Sequence, residues 1–206
     1  MPRAAPEYER WDLGVAKEKS QMVNIGRTQA KHNESAYPLI ADIGADIAER
    51  PSSARDLSEC RSSKWVTDPD QLARLMTRID CRAGETQIGK VLAHARRETE
   101  LLKVSALVFV GDACEEEEDK LLPAAHELGR LGVPVFMFQE GGSPTVERIF
   151  RGIAQASHGA YCRFDKGSAK QLGELLKAVA VFATGGRAAL EANKGAGAIR
   201  LLGQLR

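Results

Sequence analysis

The spacing of apolar residues changes character partway along the chain. Up to about residue 60 they are sparse and follow no sustained period, although Tyr37 to Ile47 has the pattern of a short amphipathic helix ending before Pro51. Beyond about Trp65 two rhythms become legible. Leu72, Leu75, Met76 and Ile79 fall at i, i+3, i+4 and i+7 behind Asp68-Pro69, and Ile88, Val91, Leu92 and Ala95 repeat that spacing in a second helix beginning near Thr86. Val104 to Val110 is then a nearly continuous apolar run stopped by Gly111, the pattern of a strand buried on both faces. Leu121, Ala125 and Leu128 predict a helix closed by Gly132, and Val133 to Phe138 a second buried strand with Pro134 tolerated near its start.

The alternation continues to the end of the apolar region. Val146, Ile149, Phe150, Ile153 and Ala154 predict a helix with Ser143 as N-cap and Pro144 at its first position. Ala160 to Phe164 reads as a shorter strand, and Ser168 with Gln171 as a capping box opening a helix through Leu172, Leu175, Leu176 and Val179. Residues 187–206 form a C-terminal helical tail interrupted by Gly195, Gly197 and Gly203, expected to lie against the outside or fray. Strands alternating with helices call for a parallel sheet with right-handed crossovers and helices on both faces, hence an α/β fold.

Composition sharpens the contrast between the two ends. Residues 1–60 hold 14 of the large apolar types Val, Ile, Leu, Met, Phe, Trp and Tyr, whereas the shorter stretch 101–140 holds 16, so the core belongs to the later part. With 29 basic and 28 acidic side chains the net charge is +1, which argues against nucleic acid or an anionic membrane as the main partner. No apolar run approaches the ~20 residues of a membrane span, and the N-terminus carries no apolar stretch of a secretory leader. Cys60, Cys81, Cys114 and Cys162 show no metal-like spacing, which predicts free thiols in a reducing cytoplasm.

In an open α/β sheet, chemistry gathers at the carboxyl ends of the strands. Three loops qualify: Gly111 to Cys114, Gln139 to Thr145, and Ala83 to Gln87. Asp112, directly after a buried strand, reads as a metal ligand, a phosphoryl acceptor or a turn residue. Cys114 stands where a phosphoaspartate enzyme would carry its second acid. Ser143 lacks the G-x-S-x-G frame of a nucleophile elbow, because Thr145 holds the last position. The acidic run Glu115 to Asp119 reads as a solvated first helical turn complementing the helix dipole. His94, His126 and His158 have no Cys or carboxylate at ligand spacing and read as surface or partly buried imidazoles.

Residues from about 58 to 186 resemble the later two-thirds of a von Willebrand factor type A-like (VWA) domain of the short bacterial intracellular kind. The likeness is carried by Glu59 to Val66, Ala83 to Lys90, Leu107 to Ala113 and Gly132 to Gly141. It implies a three-layer, doubly wound, mostly parallel sheet that docks protein partners through a divalent cation at the strand crest, the metal-ion-dependent adhesion site. In that site Thr86 matches the family threonine and Asp112 the last aspartate. The D-x-S-x-S loop after the first strand is missing here. Asp56 to Cys60 is only a partial match, it ends in Cys and follows no buried strand. Residues 1–57 therefore read as an atypical segment, disordered or introduced by a reading-frame change upstream of Ser58, and the sheet is expected to lack a regular first strand. Unpaired strand edges would then threaten solubility.

The chemical consequence is direct. Mg²⁺ takes about six oxygens, and Thr86 with Asp112 supplies two, so Mg²⁺ or Mn²⁺ binding is expected to be weak or absent. The expected function is a non-catalytic protein-interaction module docking an unidentified protein partner at the crest, with an incomplete metal site. One alternative is a small hydrolase or transferase using Asp112 and the Gly141–Ser143 loop, for which no general base is evident. Another is a degenerate relative without a function of its own.

Overall fold

A computed structural model describes Arg74, residues 86–166 and residues 168–205. The helices predicted over 37–47 and 72–79, the Asp56–Cys60 stretch, the division at Ser58, and Cys60 and Cys81 lie outside the described residues. The described chain runs α1 (Ile88–Leu101), β1 (Leu107–Gly111), α2 (Glu118–Arg130), β2 (Val135–Glu140), α3 (Pro144–Ala156), β3 (Tyr161–Phe164), α4 (Ala169–Ala192) and α5 (Ala196–Leu202). This is the predicted order. The strands form one parallel sheet in the order β1-β2-β3, with Leu107 opposite Val135 and Met137 opposite Tyr161.

The two faces of the sheet fill two separate cores. Leu107, Phe109, Val135, Met137 and Tyr161 point toward α1, α2 and α3. Their neighbours Val108, Phe136, Phe138, Cys162 and Phe164 point toward α4 and α5. Alternate residues of one strand thus enter opposite layers, which is why the apolar runs are continuous and not alternating. An edge-to-face aromatic pair braces each side: Phe109 with Phe150 at 5.5 Å, and Phe136 with Phe182 at 5.3 Å between ring centroids. Each fully buried phenylalanine contributes roughly 1.5–3 kcal/mol of burial free energy.

Strand limits differ slightly from the apolar runs. β1 starts at Leu107 although Val104 and Ala106 are already buried. The Leu107 N–H bonds the carbonyl of Pro134, so the proline joins the ladder as an acceptor before β2 proper begins at Val135. The Val135 N–H is taken by the buried Ser157 hydroxyl at 3.1 Å, which itself donates to Ile153 at the end of α3.

α2 and α3 end in the same Schellman geometry. After α2 the N–H of Val133 bonds the carbonyl of Leu128 and that of Gly132 bonds Gly129; after α3, Gly159 bonds Ala154 and His158 bonds Gln155. The left-handed position is Gly132 (φ 75°) in one and His158 (φ 59°) in the other. Behind His158, Gly159 presses on β2: a Cβ there would stand 1.9 Å from the Val135 carbonyl oxygen.

The tail departs from expectation. Leu190, Ala198, Leu201 and Leu205 are buried in the second core, so it is neither frayed nor merely laid on the surface. Its glycines serve packing and capping. Gly195 is the N-cap of α5 and Gly203 its C-cap. Gly197 lets α5 meet α4 closely, since a Cβ there would lie 2.1 Å from the Glu174 carbonyl. α4 breaks at Gly186, whose φ of 66° is non-helical. At its start the Ser168 hydroxyl accepts the Gln171 N–H, but the Gln171 side chain bonds Asp165 instead of returning to Ser168. The predicted capping box is therefore half made. No helix among the described residues is long and apolar enough to cross a membrane.

The matched helix ends set up one comparison by urea unfolding. Replacing His158 with Gly relieves a side chain in left-handed backbone and is expected to stabilise by up to about 1 kcal/mol. Gly159→Ala, whose Cβ would collide with backbone, is expected to cost about 3 kcal/mol or more. Equal effects would contradict this account of the α3 terminus.

Candidate functional site

Three segments gather at the carboxyl ends of the strands: the turn after β1, the loop after β2 and the start of α1. Asp112 is half-buried in the turn that follows Gly111. Thr86, only 3% exposed, donates its hydroxyl to the carbonyl of Ala113 at 3.3 Å. The two positions singled out by the resemblance therefore belong to one joined structure, α1 being tied to the loop that carries Asp112.

The acidic run completes that joint, and here the sequence expectation is corrected. α2 begins at Glu118, with Glu117 at its N-cap, so only Glu118 and Asp119 occupy its first turn. Glu115 and Glu116 reach across to α1. A Glu115 oxygen accepts the Thr86 N–H at 2.9 Å, and both Glu116 oxygens accept the Gly89 N–H at 3.1 and 3.2 Å. The reason is the exposed amide group of a helix start: Gln87 sits at the N-cap of α1 and makes no side-chain cap. Carboxylates placed there satisfy those N–H groups and the positive end of the helix dipole. The sequence places this helix start near Thr86, a residue type that caps helices, so nothing in it points to a cap supplied from elsewhere.

The second loop is held by a buried polar chain absent from the sequence reading. Gln139, fully buried at the end of β2, accepts the Tyr161 hydroxyl at 2.6 Å and donates its amide to the Ser143 carbonyl at 3.0 Å. Ser143 stands at the N-cap of α3 with Pro144 following, as expected, but its side chain makes no cap bond. The exposed hydroxyl is thus unengaged by the helix, while its carbonyl orients the loop. Burial is the main cause that pushes the Tyr161 phenol above its ordinary range, with Glu147 adding to it and Arg151 opposing.

Burial likewise raises the Cys162 thiol to about 11 and lifts that of Cys114, against the lowering effect of its hydrogen bond to the Glu116 carbonyl. Both are free thiols, and neither environment favours a thiolate nucleophile. His94, His126 and His158 lie on α1, on α2 and after α3, with His94 half-buried and the other two exposed.

Thr86 and Asp112 offer one hydroxyl and one carboxylate at the crest, while the Glu115 and Glu116 carboxylates are engaged by α1. Among the described residues no group of three or more His, Cys, Asp or Glu is gathered as a metal cage. This donor set does not fill a shell of about six oxygens.

Removing the Glu116 side chain is expected to lower stability by about 1 kcal/mol, the usual worth of a helix N-cap. The accompanying sign is loss of protection of the Gly89 amide in hydrogen exchange. An unchanged Gly89 exchange rate in Glu116→Ala would sink the proposed clasp. Compared with protein families, curated proteins and solved structures, the chain matches none.

Proposed function

We propose that the chain is a non-catalytic protein-interaction module of the von Willebrand factor type A kind, with a doubly wound sheet, that docks a protein partner at the strand crest. The observation that carries this reading is the bond from the Thr86 hydroxyl to the carbonyl of Ala113, because it ties Thr86 to the residue next to Asp112, the other crest position that the resemblance pairs. The crest also has the make-up of a rigid docking platform. Its turns are held by Glu115, Glu116 and Gln139 from within, while Ser143, Pro144 and Thr145 remain exposed. Such preorganisation lowers the entropy lost on binding.

The cation is a minor element of this reading. Thr86 and Asp112 contribute two oxygens, and water would have to supply the remainder, so Mg²⁺ and Mn²⁺ are held weakly or not at all. Calorimetric titration with Mn²⁺ is expected to give no low-micromolar binding. Low-micromolar binding that vanishes in Asp112→Ala would contradict it.

Docking itself is tested by photocrosslinking from the full chain in cells. A photoreactive residue at position 143, on the crest loop, is expected to give a discrete protein adduct, and one at position 126, on α2, none. Equal adducts at both positions, or none at 143, would overturn the crest reading. Turnover of a phosphoester or acyl ester that disappears in Asp112→Ala or Ser143→Ala would replace it with the enzymatic one.

A further inference from the structure

A groove beside β3 is used by none of the crest chemistry. β3 is the last strand in the order β1-β2-β3, and α3 and α5 flank a space of about 710 Å³ next to it. Three guanidinium groups enter its lining from three elements: Arg151 from α3, Arg163 from β3 and Arg200 from α5. Arg151 lies over the Tyr161 ring, 4.4 Å from its centroid, and reaches Gln204 at 3.3 Å. Arg200 donates to the Arg163 backbone carbonyl, a group on the strand edge.

The acids in the lining are already engaged. Glu147 pairs with Arg151 at 2.8 Å, and the Asp165 carboxylate accepts the Gln171 amide at 2.6 Å. With three arginines against Glu147 and Asp165 the lining carries a net positive charge of one, and neither Arg163 nor Arg200 is among the ion pairs of the described residues. Ile199, 63% exposed in the same lining, adds an aliphatic surface. Arginine and tyrosine around an exposed aliphatic side chain is the composition of protein interface cores. The arginines of the lining are contributed by three elements along an open groove, a shape that suits an extended chain bearing several groups.

We propose that this groove binds an extended acidic segment of a partner protein, with carboxylates on Arg163 and Arg200 and an apolar side chain against Ile199. Arginine suits this role because its planar fork pairs with a carboxylate in two parallel hydrogen bonds. The groove adjoins the crest loop, since a Cβ on Gly142 would lie 3.5 Å from the Arg163 guanidinium, but the proposal does not rest on the crest reading.

Fluorescence anisotropy of the full chain with a labelled peptide of alternating glutamate and leucine tests it. The peptide is expected to bind, more weakly as salt rises, while its lysine–leucine counterpart does not. Arg163→Glu and Arg200→Glu are each expected to weaken binding about tenfold or more without loss of thermal stability in Arg163→Glu. Should Arg200→Glu melt early, Arg163→Glu alone decides, because that exposed guanidinium has no ion-pair partner among the described residues. Equal binding of both peptides, no binding of either, or unchanged affinity in Arg163→Glu would overturn the proposal. Full displacement of the peptide by oligodeoxythymidylate would also overturn it, by assigning the groove to phosphate backbones.

Discussion

The burial of β2 is the constraint on which the described structure depends. Val135 to Gln139 have no exposed surface, so each backbone amide needs a ladder partner and each face needs an apolar layer. β1 and β3 supply the first requirement on either side. α2 and α3 supply one layer, α4 and α5 the other. Gly159 and Ser157 follow from the same constraint. One lets the α3 terminus touch the Val135 backbone, and the other takes the first β2 amide.

A strand sealed along its length pushes polar chemistry to its ends. Gln139 is the point where that pressure is met: a buried amide is costly without partners, and Tyr161 with the Ser143 carbonyl provides them. The β1 end resolves its polar groups differently, by giving Glu115 and Glu116 to the uncapped start of α1. Both solutions fix loops that would otherwise be mobile, and both leave exposed backbone and hydroxyls facing outward at the crest.

Much of this was legible from residue spacing. The helices through Ile88, Leu121, Val146 and Leu172 follow from the period of 3.6, and the strands from short apolar runs bounded by turn residues, because a strand covered on both faces has no polar side to alternate. Contacts distant in sequence were not legible. Glu116 looks like the first turn of its own helix until α1 is seen beside it, and Tyr161 gives no sign of its bond to Gln139 across two strands. Gly197 was misjudged for a related reason: a glycine that admits a neighbouring backbone and one that interrupts a helix look alike in sequence. Of the crest pair, Asp112 stands out by its place after a buried strand, as a metal ligand, phosphoryl acceptor or turn residue, whereas its pairing with Thr86 comes only from likeness to a family.

Native-state hydrogen exchange across the full chain tests the central place of β2 most directly. The amides of Val135 to Gln139 are expected to exchange only through global unfolding, with the highest opening free energy in the protein. Exchange of those amides by local opening, at free energies below those of the α5 helix, would contradict a fold organised around that strand.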